Sequence, residues 1–202
     1  MTSTKAAHYL QRAGEQAAGR SFDEAVNQLS TALEFLKKLP SSGARDTQEL
    51  AIRLALANPL FVINPLPAGE LEQNLRRAQA LCERLGETEL MARVLLNLFF
   101  VYWCIGDLDK QRAAGQAGME IATHSPSEIT VFCAGWINGF LAAWTGQYNP
   151  ARTHLERALA ISPAAEAFFL KDPGIALSLI DCIEFLGFYA LDAGLPGAGA
   201  AP

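Results

Sequence analysis

Apolar positions recur at spacings of three and four along most of the chain. In residues 22–39, "FDEAVNQLSTALEFLKKL", they are Phe22, Ala25, Val26, Leu29, Ala32, Leu33 and Leu36. A period of 3.6 residues brings these onto one face, so the pattern predicts an amphipathic helix. Ser21 or Asp23 caps its start and Pro40 marks its end. Residues 68–85 repeat the pattern with Leu71, Leu75, Ala78, Cys82 and Leu85, and Gly86 supplies a stop. The same reading predicts helices over 4–19, 46–58, 88–105, 108–123, 127–145, 149–161 and 173–187. "PSSGARD" is a loop, "NPLFVINPLP" a proline-interrupted connection, and no pair of strands is expected. The expected fold class is therefore all-α.

One stretch tests this picture. From Ile129 to Ala151 the chain carries no Asp, Glu, Lys or Arg, which is long enough to cross a bilayer. Asn138, Gln147 and Asn149 interrupt it, Gly146 and Pro150 break its helix, and no basic cluster flanks it. A buried helix, apolar around most of its circumference, is the better reading. After it come Gly146 and Tyr148 in a turn, then Ala151, Leu155, Ala158 and Pro163. Small residues where paired helices approach, a large one between them and a closing proline match the second half of a tetratricopeptide repeat. Gly106-Asp107-Leu108 lies 40 residues before Gly146-Gln147-Tyr148, with Tyr102 at the aromatic position of the preceding helix. Gly187-Phe188-Tyr189 lies 41 residues after, and Arg20-Ser21-Phe22 fits near the start. The units run over about 4–40, 44–86, 88–124, 127–163 and an incomplete 172–190. They form one TPR-like α-solenoid of about four and a half repeats over residues 1–190, with a flexible tail at 191–202. A period of 40 also suits HEAT-type repeats; the Gly/Tyr turn and the Ala-Leu-Ala-Pro pattern favour the tetratricopeptide class.

Composition changes this picture little. Half the residues are hydrophobic and 18% charged, which suffices for a real core. A net charge of −5 offers no basic face for nucleic acid. The N-terminus lacks the apolar segment of a secretory signal. Cys82, Cys104, Cys133 and Cys182 are scattered without a C-x-x-C spacing and read as free thiols in a reducing cytoplasm.

Longer blocks carry a family resemblance. "AAHYLQRAGEQAAGRSFDEAVNQLSTALEFLKKLP" resembles the opening of the C-terminal helical region of large bacterial signalling proteins. In these, a class III nucleotide cyclase or a DNA-binding regulator domain is joined to an AAA-type or STAND ATPase, and the repeats come last. "AQALCERLGETELMARVLLNLFFVYWCIGDLDKQRA", "GWINGFLAAWTGQYNPARTHLERALAI" and "KDPGIALSLIDCIEFLG" resemble its later portions, so the resemblance covers roughly residues 5–190. It implies a detached piece, or a short relative, of a sensor and scaffold region. The chain has no G-x-x-x-x-G-K-[ST] and no cyclase domain, so no catalytic residue carries over.

Nor do the residues themselves form a catalytic set. His8, His124 and His154 lie far apart, the last on the expected outer face of its helix. No H-x-x-x-H or G-x-S-x-G occurs, so no catalytic residue, metal or cofactor is expected. What remains is a binding surface. In the repeat register Leu96, Phe100 and Trp103 line a groove together with Trp136, Phe140 and Trp144. Arg93 sits at its rim, and Asp181 and Glu184 form an acidic end. Such a groove suits a protein or peptide segment with apolar anchors and a basic residue; the competing reading makes these aromatics inter-helix core. A groove that grips a carboxylate tail needs Lys and Asn where Leu10, Gly14 and Ala17 stand, and is disfavoured. The unfinished last repeat leaves an apolar face for self-association. The expected function is non-enzymatic protein binding within a cytoplasmic signalling assembly. The alternatives are a fragment of a cyclase or regulator that has lost its catalytic part and, more remotely, a small-molecule sensor.

Overall fold

The computed structural model describes residues 3–64 and 69–160. The expected helix at 173–187, the fifth unit, the tail, Asp181 and Glu184 lie outside the described residues. What is described is all-α, with eight helices and no strand: α1 Ser3–Ala17, α2 Phe22–Lys37, α3 Gly43–Ile63, α4 Glu70–Leu85, α5 Thr88–Ile105, α6 Leu108–His124, α7 Glu128–Trp144 and α8 Tyr148–Leu159. The chain divides into two compact units, Met1–Leu108 and Asp109–Pro202. The division falls within the expected unit 88–124.

The first unit packs α1 on α2, α2 on α3, α3 on α4 and α4 on α5. Its core gathers Leu29 and Leu36 of α2, Leu50, Ile52 and Leu56 of α3, Leu71, Leu75 and Leu81 of α4, and Val94, Leu98 and Tyr102 of α5. Gly14 sets how closely α1 approaches α2: a Cβ there would lie 2.5 Å from Leu29 Cγ. Ser21 caps α2, its Oγ accepting from the Glu24 amide at 3.3 Å. The connection expected at 58–67 is in part helix. Helix α3 runs through Pro59 to Ile63, with Pro59 and Leu60 buried. Proline forfeits one backbone hydrogen bond inside a helix, and burial of Pro59 and Leu60 offsets the loss.

In the second unit Asn138 of α7 donates through Nδ2 to Gly115 O of α6 at 3.1 Å. On another side of α7, Gly135 and Gly139 lie against α8, where Cβ atoms would meet His154 O at 2.8 Å and Leu155 Cδ2 at 2.6 Å. Contacts with both α6 and α8 explain why α7 buries ten of its residues and carries no charge after Glu128. A capping box of Ser127 and Thr130 starts the helix. Helix α7 stops at Trp144, so the charge-free stretch is helix, turn and the start of α8. Among the described residues it is α5 that is long and apolar enough to span a membrane; eight of its side chains are buried.

Two turns share one geometry. At Gly106 and at Gly146 the chain enters the left-handed region at φ 76°. The amide of each glycine donates three residues back, to Trp103 O and Ala143 O. The next amide donates five residues back, to Tyr102 O and Ala142 O. This double hydrogen bond closes a helix where only glycine meets no Cβ penalty. Gly86 also ends α4 in the left-handed region, at φ 72°, but there the Gly86 and Glu87 amides both donate to Cys82 O. The link from α1 to α2, expected to match, is built differently: Arg20 and Ser21 amides both donate to Ala17 O, without a left-handed residue.

Candidate functional site

Two helices supply the expected aromatic groove, and the structure sorts their side chains into core and surface. On α5, Leu96 is buried and Phe100 half-buried, its ring edge-on to Phe99 at 6.5 Å. Trp103 is 42% exposed. Arg93 is partly buried, and its carbonyl accepts from Asn97 Nδ2 at 2.9 Å. On α7, Trp136 is completely buried and stacks on Phe140 at 4.9 Å. Phe140 is buried in turn and meets Trp144 at 5.8 Å. Trp144 is 61% exposed.

Leu96, Trp136 and Phe140 are therefore core residues, correcting their assignment to an open groove. A helix that contacts neighbours on two sides turns most of its aromatic side chains inward. Trp103 and Trp144 escape because each sits in the last turn of its helix, beside the glycine stop. The segment 144–150 is exposed throughout and has no charged side chain. Around Gly106, Ile105 and Leu108 are exposed, and around Gly146, Tyr148 is. Exposed apolar side chains thus flank both glycine turns. Gly14 and Ala17, two of the positions a carboxylate-gripping groove would need, are buried.

The histidines do not gather. His8 and His124 are exposed, and His124 Nδ1 lies 2.8 Å from Glu120 O. His154, expected on an outer face, is partly buried; burial, aided by the nearby Arg157, lowers its pKa. No group of three or more His, Cys, Asp or Glu placed to hold a metal exists among the described residues. Burial raises the Cys82 thiol to about 11, and raises Cys104 as well; neither has the lowered pKa of a reactive thiolate.

The feature that periodicity did not reveal is a set of charges between α3 and α4. Glu49 is buried, and its two carboxylate oxygens accept from Arg77 Nε at 2.9 Å and Nη2 at 3.0 Å. Arg53 Nε donates to Glu49 Oε1 at 2.9 Å and its Nη1 to Asn74 Oδ1 at 3.1 Å. Asn74 returns a bond from Nδ2 to Arg53 O at 2.8 Å. Asp46, also buried, pairs with Arg84 at 2.6 Å. Burial alone would raise the Glu49 pKa; the hydrogen bonds from Arg77 and Arg53, with their charges, overcome it and hold it at about 2. One sequence signal existed. Asp46, Glu49, Arg53, Leu56 and Leu60 fall at i, i+3, i+7, i+10 and i+14, so the charges share a core stripe with leucines. Beside this set lies a cleft of about 380 Å³, floored by α3 and walled by α2 and α4.

No family model, curated protein or solved structure matches the chain.

Proposed function

We propose that the chain is a non-enzymatic TPR-like helical-repeat module that binds another protein or peptide, and that Trp103 and Trp144 anchor the partner. The observation that carries this reading is Trp144. Its helix buries the other two large aromatics of the series, yet leaves this one 61% exposed in a charge-free turn. Large aromatics at a surface supply contact area at low entropic cost and dominate binding energy where they are used. The repeat reading is supported by the matching turns at Gly106 and Gly146, 40 residues apart, and by small residues on α7 and α8 where the two helices touch. The sequence resemblance to the C-terminal region of cyclase- and ATPase-linked signalling proteins supports a role in a cytoplasmic bacterial signalling assembly.

Photo-crosslinking tests the assignment. A benzoylphenylalanine at position 144 or 103 should capture the same defined protein in the source cell, and one at exposed position 20 should not. Trp144→Ala in the full chain should then weaken binding of that purified protein by about tenfold or more with unchanged helicity. Equal capture from position 20, or undiminished binding by the Trp144→Ala protein, refutes the anchor role.

A further inference from the structure

We infer that the cleft between α2 and α4 is a binding site for a small aliphatic carboxylate, a monoanion with a short apolar body. This site is separate from the tryptophan turns and does not depend on their role. Its two ends differ chemically. The contacts Asp46–Arg84, Glu49–Arg77 and Arg53–Asn74 show α4 running against α3. Lys37 and Arg77, in the later parts of their helices, therefore mark one end, near Arg53. Leu56 and Leu60 floor the cleft toward the other end, with Leu33 on the α2 wall.

Charge at the first end does not cancel. Lys37, Arg53 and Arg77 stand against Glu34, which pairs with Lys37 at 2.6 Å, and the buried Glu49. At this end three cations against two carboxylates leave a local surplus of one positive charge, while a third carboxylate, Glu70, lines the cleft at the start of α4, toward its leucine end. The guanidiniums are already oriented, Arg77 by both oxygens of Glu49 and Arg53 by Glu49 and Asn74. Arg77 Nη1 and Arg53 Nη2 have no hydrogen-bond partner among the described residues. Pre-oriented donors bind an anion with little loss of side-chain entropy. A cation gains nothing at this end. A dianion such as phosphate exceeds the single surplus charge. A volume of about 380 Å³ lies within the range of small-ligand sites.

The test is a titration of the whole protein with sodium octanoate, followed by amide chemical shifts. Shifts at Leu33, Leu56 and Arg77 should saturate with a Kd below about 1 mM. Octylamine should not reproduce them. Lys37→Glu, at a side chain 60% exposed, replaces the surplus with a deficit and should weaken binding about tenfold. Ser30→Trp fills the cleft from the α2 wall and should abolish the response while circular dichroism stays unchanged. If the tryptophan variant unfolds, Lys37→Glu decides alone. Non-saturating shifts, equal binding of octylamine, or unchanged binding by Lys37→Glu would each overturn the assignment.

Discussion

Glu49 shows what a single buried carboxylate does in this fold. It is 5% exposed, and two guanidiniums and the helix it sits on enclose it. Its pKa falls from 4.5 to about 2 on folding. A carboxyl with a lowered folded pKa stabilises the fold above its unfolded value and loses that contribution as pH falls toward the folded one. The loss should run from about pH 5 to about pH 2 and amount to at most about 3 kcal/mol. Glu49→Gln should cost about 3 kcal/mol at pH 7, because Arg53 stays buried without its counter-charge, and should flatten that part of the acid profile. Urea unfolding at pH 7, 4 and 3 measures both effects. Equal pH slopes in the two proteins would refute the role given to Glu49. Glycines make a second residue-scale test. Gly135→Ala sets a Cβ 2.8 Å from a backbone oxygen, whereas Gly139→Ala meets the Leu155 side chain first. A side chain yields more easily than a backbone. Gly135→Ala should cost about 1–3 kcal/mol, more than Gly139→Ala, although alanine is the better helix former by about 1 kcal/mol. Thermal melts of the two variants give the order.

Helix boundaries were legible where a local rule decides them. Thr88–Ile105 and the glycine stops at 86, 106 and 146 lie where spacing and turn chemistry place them. Pro59 was read as a break because proline removes a donor whatever surrounds it. The helix nevertheless continues, since Pro59 and Leu60 gain burial that no local rule contains. The α1–α2 link likewise looked equivalent to the later turns but reaches its geometry without a left-handed residue. This gives an element-scale prediction about what the glycine stops contribute. A Cβ at Gly146 meets nothing within 4 Å, so Gly146→Ala probes backbone strain alone, at φ 76°. It should cost about 1–2 kcal/mol. Gly43→Ala, also without a neighbour but lying at the first position of α3, should be neutral or slightly stabilising. Equal melting temperatures for the two variants would show that the turn at Gly146 is not held in the left-handed region.

At the scale of the molecule, the sequence separated helix from loop better than core from surface. Trp136 and Trp144 stand eight apart on one helix, so periodicity placed them on similar faces. Their environments part because α7 is enclosed along its length and open at its end. Charge spacing on α3 did carry a signal for the Glu49 set, but it was masked by the usual association of charge with solvent. Enclosure also bears on cooperativity, because each compact unit owns a set of buried contacts. Val94, Leu98 and Tyr102 belong to the core that α1–α4 build, and α7 is tied to α6 and α8. Where compact units each own a core, local openings are felt most in the unit where a defect is made. Trp136→Ala should remove about 3–5 kcal/mol from the second unit, while the exposed Trp144→Ala costs under about 1 kcal/mol. Amide hydrogen exchange locates the loss. Protection of α7 and α8 should fall sharply in Trp136→Ala while that of Leu50, Ile52 and Leu75 changes little. A uniform drop across α3, α4, α7 and α8 would instead mean that both units unfold as one cooperative body.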